Sequence, residues 1–214
     1  MKSGKHADKD GLSNISRKSD DVAKYYDNWA DNYEKMLDQW QYEAPYQAAS
    51  MLRSKLALLS SVLDVGCGTG LAGKALQMAG FKKVDGIDIS RRSLEIAERS
   101  GVYRSLSEID LQKQPFPIEP DKYDGLICVG VLTYLTDSTG TLREFHRIVK
   151  PGGIIVMTQR NDLFIERNFQ EVLENLSKDG VFDRVQISKS RPYLPDNEEF
   201  GDKILVHYIS CTVL

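Results

Sequence analysis

The sequence predicts an α/β fold, doubly wound around a mostly parallel sheet of seven strands that closes in a C-terminal antiparallel hairpin. Three observations carry this. Short apolar runs alternate with amphipathic helical patterns between residues 62 and 176. The central runs are apolar throughout, as strands covered by helices on both faces must be. The last two strand-like runs, residues 184–188 and 204–213, follow one another through a loop with no helical pattern, which is how an antiparallel pair is connected.

The elements follow in order. Residues 1–20 are rich in charge, Ser and Gly and read as a disordered tail. Residues 21–214 read as one domain, opened by two helices over 21–59. In the first, residues 21–40, Tyr26, Trp29 and Tyr33, with Met36 and Leu37, recur at the three- and four-residue steps of one helix face. The second spans 44–59. A short strand at 62–65 leads through glycines into a helix at 71–79, ended by Gly80. A strand at 84–89 precedes Ser90, a good N-cap for a helix ending near Gly101. The third strand is either 102–106 or the run around 108–111. A fourth occupies 123–131, a helix 139–149, and the Pro151-Gly152-Gly153 turn breaks that helix before a fifth strand at 154–158. One more helix, 164–176, precedes the terminal pair.

Composition sets limits. The 214 residues are 41% hydrophobic and 28% charged, with a formal net charge of −3. Nothing in that balance advertises a polyanionic partner, so no nucleic-acid partner is expected. No apolar run approaches the roughly 20 residues of a membrane helix, so no membrane association is expected either. The N-terminus carries no apolar signal region, and the three cysteines, Cys67, Cys128 and Cys211, are too widely spaced for a metal pair. The expectation is a cytoplasmic protein with free thiols and no metal site.

The most informative stretch is V62-L-D-V-G-C-G-T-G70. Glycine costs conformational entropy, so three in alternation need a reason. A strand that ends in glycines and enters a helix brings backbone N–H groups and the positive helix end close to a ligand. Asp88 closes the next strand about 20 residues on, where an acid can accept from ribose hydroxyls. Two registers fit. Gly68, Gly70 and Gly73 match the dinucleotide pattern G-x-G-x-x-G, while Gly66, Gly68 and Gly70 match G-x-G-x-G. The strand ends at Val65, which makes Gly66 the first turn glycine and favours the second register.

At this point the sequence resembles the class I S-adenosylmethionine-dependent methyltransferases, whose first motif is an acid-bearing strand followed by G-x-G-x-G. V84-D-G-I-D-I-S90, I109-D-L111, K122-Y-D-G-L-I-C-V-G-V131 and R147-I-V-K-P-G-G-I-I-V156 resemble the later motifs. Y26-D-N-W-A-D-N-Y33 and G130-V-L-T-Y-L135 point to the methyltransferase-like proteins of the Williams–Beuren region. The resemblance implies a Rossmann-like sheet, helices 21–59 capping the cofactor pocket, and S-adenosyl-L-methionine as cofactor. It implies that Gly66, Cys67, Gly68 and Gly70 form the cofactor loop and that Asp64 faces the cofactor's amino group. Asp88 would hold the ribose with Ile89 on the adenine, and Asp110 and Leu111 would bind the adenine amino edge. Val129 and Gly130 would line the methionine arm, and Tyr26, Trp29 and Tyr33 would cap the pocket.

Methyl transfer from a sulfonium needs positioning more than a protein nucleophile, so no catalytic residue is assigned. Acceptor-side candidates follow strands four and five: Thr133, Tyr134, Arg160 and Asn161. The position after strand four reads G130-V-L-T133. It lacks both the N-P-P-Y run of adenine and glutamine amino methylators and the Pro-Cys pair of cytosine C5 methylators. The acceptor is then a small molecule or a protein side chain. Two alternatives stand beside this reading: a non-catalytic S-adenosylmethionine-binding regulatory protein, and an NAD-dependent oxidoreductase. The aromatic stripe equally fits core packing. His146 is expected on the surface, and His207 as a satisfied or edge histidine.

Overall fold

Strand β1 (Ser61–Val65) is the middle of the architecture, because its side chains alternate between two apolar layers. Leu63 and Val65 face one side, Val62 and Asp64 the other. The computed structural model describes residues 17–197, 201 and 203–214, with the side chains of residues 29, 31–36, 38 and 39 outside the description. The expected tail therefore lies outside the described residues up to residue 16. Helix α1 (Ser19–Gln39) already begins within the segment read as tail.

The sheet runs β3-β2-β1-β4-β5-β8-β6. Strands β2 (Lys83–Asp88), β3 (Ser105–Glu108), β4 (Tyr123–Cys128) and β5 (Val149–Arg160) join β1 in parallel. The long β8 (Leu205–Val213) lies antiparallel between β5 and β6 (Phe182–Ile187). These seven strands match the expected number, with the expected antiparallel pair at the C-terminal end. An eighth, the two-residue β7 (Arg191–Pro192), pairs with the start of β8 and was not expected.

Each face of the sheet is closed by helices whose apolar stripes match it. On one side α2 (Ala44–Arg53) and α3 (Leu71–Met78) place Ala48, Ala49, Leu52, Ala75 and Leu76 against Val62, Val84, Ile127 and Val156. On the other, α5 (Ser138–Ile148) and α7 (Phe169–Lys178) bury Leu142, Phe145, Phe169 and Leu173 against Leu63, Leu126, Ile155 and Ile209. Helix α4 (Arg91–Arg99) starts at Ser90, whose hydroxyl accepts from the Ser93 amide as an N-cap does.

Several boundaries depart from expectation, each for a tertiary reason. The third strand falls between its two candidates. Helix α2 stops at Arg53 rather than 59, where the amides of Lys55 and Leu56 fold back onto the Leu52 carbonyl and turn the chain toward β1. The Pro-Gly-Gly turn lies inside β5, as a register shift against β4 between Tyr123 and Gly125. Gly153 sits so close to Val149 that a Cβ would lie 2.4 Å from its Cγ1. The helix expected at 164–176 is two helices, α6 (Asn161–Glu166) and α7, joined at Asn168 in the left-handed region with φ 49°. His146 is half-buried with its ring against Phe182, at 6.4 Å between centroids, and so is not a surface residue.

Candidate functional site

The glycine loop adopts the backbone its composition allows. Gly66, Gly68 and Gly70 all have positive φ, at 68°, 53° and 103°, a region that costs other residues strain. The loop is stitched to β2: the amides of Gly66 and Cys67 donate to the Ile87 carbonyl at 2.8 and 3.0 Å. Asp88 completes the stitch. Its Oδ2 accepts from the Gly68 amide and its Oδ1 from the Ser90 amide, both at 2.8 Å. Burial pushes the Asp88 carboxyl upward, and these backbone donors oppose that shift.

Above the loop lies a cavity enclosing about 740 Å³ when the space at its open mouth is counted. It brings together Gly66, Gly68, Asp88, Ile89, Asp110, Leu111, Val129 and Gly130 from the strand ends, and Tyr26 from α1. Asp110 is oriented from both sides: its Oδ1 accepts from the Ser19 hydroxyl at 2.9 Å and the Gln112 amide at 3.0 Å. Helix α1 is fastened along the cavity rim. Besides Ser19, Asp27 accepts from the Ser90 hydroxyl at 2.6 Å, and the Tyr26 hydroxyl donates to that of Tyr134 at 3.0 Å.

Three residues expected at the cavity do not line it. Cys67 is buried under the loop, where desolvation pushes its thiol well up. Gly70 caps α3 instead. Asp64 lies beneath, 1% exposed, its Oδ2 accepting from the Tyr103 hydroxyl at 2.7 Å and its Oδ1 buried with no hydrogen-bond partner among the described residues. The side chains of Trp29 and Tyr33 lie outside those described. Helix α2, expected as a second cap, packs on the sheet beside α3 and lines no part of this cavity.

Tyr103 was not anticipated. It accepts from the Gly73 amide at 3.1 Å while donating to Asp64, and a Cβ at Gly73 would lie 2.3 Å from its hydroxyl oxygen. Gly73 is therefore required by this contact, not by a dinucleotide. Burial pushes the Asp64 carboxyl up to about 7, with the Tyr103 hydrogen bond opposing. A raised folded-state pKa means the native state holds a proton that the unfolded chain releases. The stability Asp64 contributes is complete below pH ~4 and is lost as pH rises through 7. Tyr103→Phe removes the donor that the ionised carboxylate needs. It should cost about 1–2 kcal/mol at pH 8.5 and distinctly less at pH 5.5, read by urea unfolding; equal costs at both pH values would contradict the pairing.

A second cavity adjoins the first through a shared wall of Tyr26, Gly130 and Tyr134. It is lined further by Thr133 and Arg160, two of the acceptor-side candidates, and by Leu37, Tyr42, Tyr193, Leu194 and Ile204, which the sequence did not place there. Asn161 lies apart, bonded through Oδ1 to His207 Nε2 at 2.9 Å. His207 Nδ1 lies 2.9 Å from the Ser188 carbonyl, so each ring nitrogen has a polar neighbour. Arg167 was also missed: its guanidinium donates to the Leu132 and Thr133 carbonyls at 2.8 and 2.9 Å, fixing the loop between the cavities.

Comparison with known proteins follows the same outline. A family model described as a methyltransferase domain matches residues 63–157. Methyltransferase-like protein 27 of Homo sapiens is 31% identical over 165 residues, covering 74% of this chain and 67% of that protein. A ubiquinone biosynthesis O-methyltransferase of Pseudomonas syringae pv. tomato is 35% identical over 107 residues, covering 47% of this chain and 44% of its own length. The chain thus spans two thirds of the human relative and less than half of the bacterial one. Among solved structures, a SAM-dependent methyltransferase of Thermotoga maritima superposes with a TM-score of 0.64 at 18% identity, covering 89% of this chain and 99% of that one.

Proposed function

The chain belongs to the class I S-adenosylmethionine-dependent methyltransferases, and from that premise we propose that the glycine-loop cavity holds the cofactor and the adjoining cavity the methyl acceptor. The observation that carries this is the cradle itself. A Cβ at Gly68 would meet no protein atom within 4 Å, so the loop leaves room for a ligand to approach its backbone. Around that room stand two carboxylates, Asp88 and Asp110, and the buried Thr69 hydroxyl, which has no partner among the described residues. Acids suited to ribose and amino donors, set in an apolar cleft, fit the cofactor's donor-rich nucleoside.

The roles follow. Asp88 accepts from the ribose hydroxyls, and Asp110 with the Leu111 backbone meets the adenine amino edge. Ile89 packs on the ring, Val129 and Gly130 border the methionine arm, and Tyr26 closes the cavity from α1. Asp64, which the resemblance places at the amino group, lies beneath the loop and braces it through Tyr103 instead. A cofactor held there would offer a sulfonium methyl group open to in-line displacement by an acceptor lone pair. The protein's part is to align the two cavities and to exclude water from their junction.

The three cysteines are buried and free, and no helix among the described residues is long and apolar enough to cross a membrane. Both support the reading of a cytoplasmic enzyme. The test is calorimetric titration with S-adenosylmethionine, S-adenosylhomocysteine and NAD. Binding of the first two and not the third is expected. Binding of NAD alone, or of none, would overturn the assignment of the cavity.

A further inference from the structure

The glycine loop cannot cap the helix it enters. Helix α3 follows Gly70, which has no side chain to offer the orphan amides of the first turn. The Tyr103 hydroxyl takes that place from another part of the chain, accepting from the Gly73 amide at 3.1 Å. The same hydroxyl donates its proton to Asp64 Oδ2 at 2.7 Å. Asp64 is the last but one residue of β1, and Gly73 is the third residue of α3. The glycine loop runs between them, so a single hydroxyl joins its two ends.

The ring is wedged beneath the loop. A Cβ at Gly73 would lie 2.3 Å from its Cζ, and one at Gly86 would lie 3.0 Å from its Cδ1. A Cβ at Gly70 would come to 3.4 Å from its Cε2. The tyrosine is itself anchored. It sits in the connection from α4 to β3, packed on the layer of Val62, Val84 and Ile127. Its neighbour Arg104 donates its amide to the Val84 carbonyl at 2.8 Å. The Arg104 guanidinium clamps Asp85 through Nε and Nη2, at 3.1 and 2.8 Å. Tyr103 lines neither cavity, so it acts on a ligand only through the loop.

Resting on the cofactor assignment made above, we propose that Tyr103 is a positioning residue for the cofactor: its hydroxyl clasps the two ends of the glycine loop, and the clasp tightens when Asp64 is ionised. A hydrogen bond to a carboxylate is roughly twice as strong as one to a neutral carboxyl. Burial pushes the Asp64 carboxyl up to about 7, so the stronger bond exists above that pH. The groups that face Asp64 come from four directions. Asp88 on β2 adds to the rise, and the Gly73 amide of α3 opposes it. The Cys67 thiol in the loop and the Cys128 thiol on β4 are both held by burial above their ordinary range, and they carry no charge near neutrality. Burial likewise keeps the proton on Tyr103. Asp88 is the one other group there able to charge, and it is common to every protein compared below. A ratio of affinities at one pH therefore isolates the clasp.

The test is calorimetric titration of the full chain with S-adenosylhomocysteine at pH 5.5 and 8.5. Binding by the unsubstituted chain is measured first and reports separately on the cofactor assignment. Tyr103→Phe keeps the wedge and removes the clasp. In protein certified as folded by near-ultraviolet circular dichroism, it should weaken binding about tenfold at pH 8.5 and no more than about threefold at pH 5.5. Asp64→Asn keeps an acceptor for the hydroxyl and removes the charge. Beside it, Tyr103→Phe should cost the same factor of about three at both pH values. A residue that only filled space or stabilised the fold would leave the affinity of folded protein unchanged. One readout needs no variant: the Gly73 amide resonance of the unsubstituted chain should shift as pH passes through about 7. Given binding by the unsubstituted chain, native affinity of folded Tyr103→Phe at pH 8.5, an equal loss at both pH values, a pH-dependent loss that persists beside Asp64→Asn, or a Gly73 resonance indifferent to pH would each overturn the proposal.

Discussion

Asp88→Ala is expected to weaken S-adenosylmethionine binding by about 2–3 kcal/mol, roughly 30- to 150-fold, while the sheet still forms. The carboxylate is 9% exposed, at the carboxyl end of β2, and spends one acceptor site on the Gly68 amide and one on the Ser90 amide. Its remaining lone pairs face the cavity, where charge-assisted bonds to ribose hydroxyls are strong because little water competes. Alanine removes those bonds, and it also frees two amides that hold the glycine loop in shape. Asp88→Asn is no rescue, because each amide now needs an acceptor and the carboxamide presents only one. Calorimetry on the variant, with urea unfolding to certify the fold, decides the matter. Native affinity in a folded variant would remove Asp88 from the site.

Phe145→Ala should lower stability by about 3–5 kcal/mol and the melting temperature by roughly 10 °C, with cofactor affinity essentially native. Phe145 is fully buried on α5, between the sheet and the Phe116 ring, whose centroid lies 6.5 Å away. Alanine leaves a ring-sized void in a layer held by helices on one side and strands on the other. That layer cannot collapse without moving the sheet, so the cavity penalty adds to the lost burial. Neither cavity includes the residue. A cost below about 1 kcal/mol would mean that α5 repacks freely, contrary to the close packing of such cores.

What the sequence reveals follows the range of the interactions. The glycine loop and Asp88 are legible because strand, turn, helix and acid lie within about 25 residues, each with its own local signature. Asp110 is legible only through the resemblance of I109-D-L111 to a family motif, since alone it also reads as a cap or loop residue. The same local logic misplaces Cys67 and Gly70, since a motif names the loop but not which of its faces turns inward. Tyr103 escapes notice because its partners, Asp64 and Gly73, are 39 and 30 residues away and nothing in its own neighbourhood marks it. The second cavity is the extreme case. Tyr42 and Tyr193 are 151 positions apart, and only the closed sheet brings them together. Helix α2 illustrates the converse: its sequence would continue to residue 59 on propensity, and the need to enter β1 stops it.

The insertion of β8 between β5 and β6 has a consequence for the order of assembly. Strand β6 precedes β8 in the chain but has no sheet edge to join until β8 has paired with β5. The same event brings Tyr193 to Tyr42 and Ile204 to Leu37. The described residues that line the first cavity, from Ser19 to Leu135, all precede β8, so none of these walls comes from that strand. The second cavity is closed only when β8 joins the sheet, which sets Tyr193 and Ile204 opposite residues some 150 positions earlier in the chain.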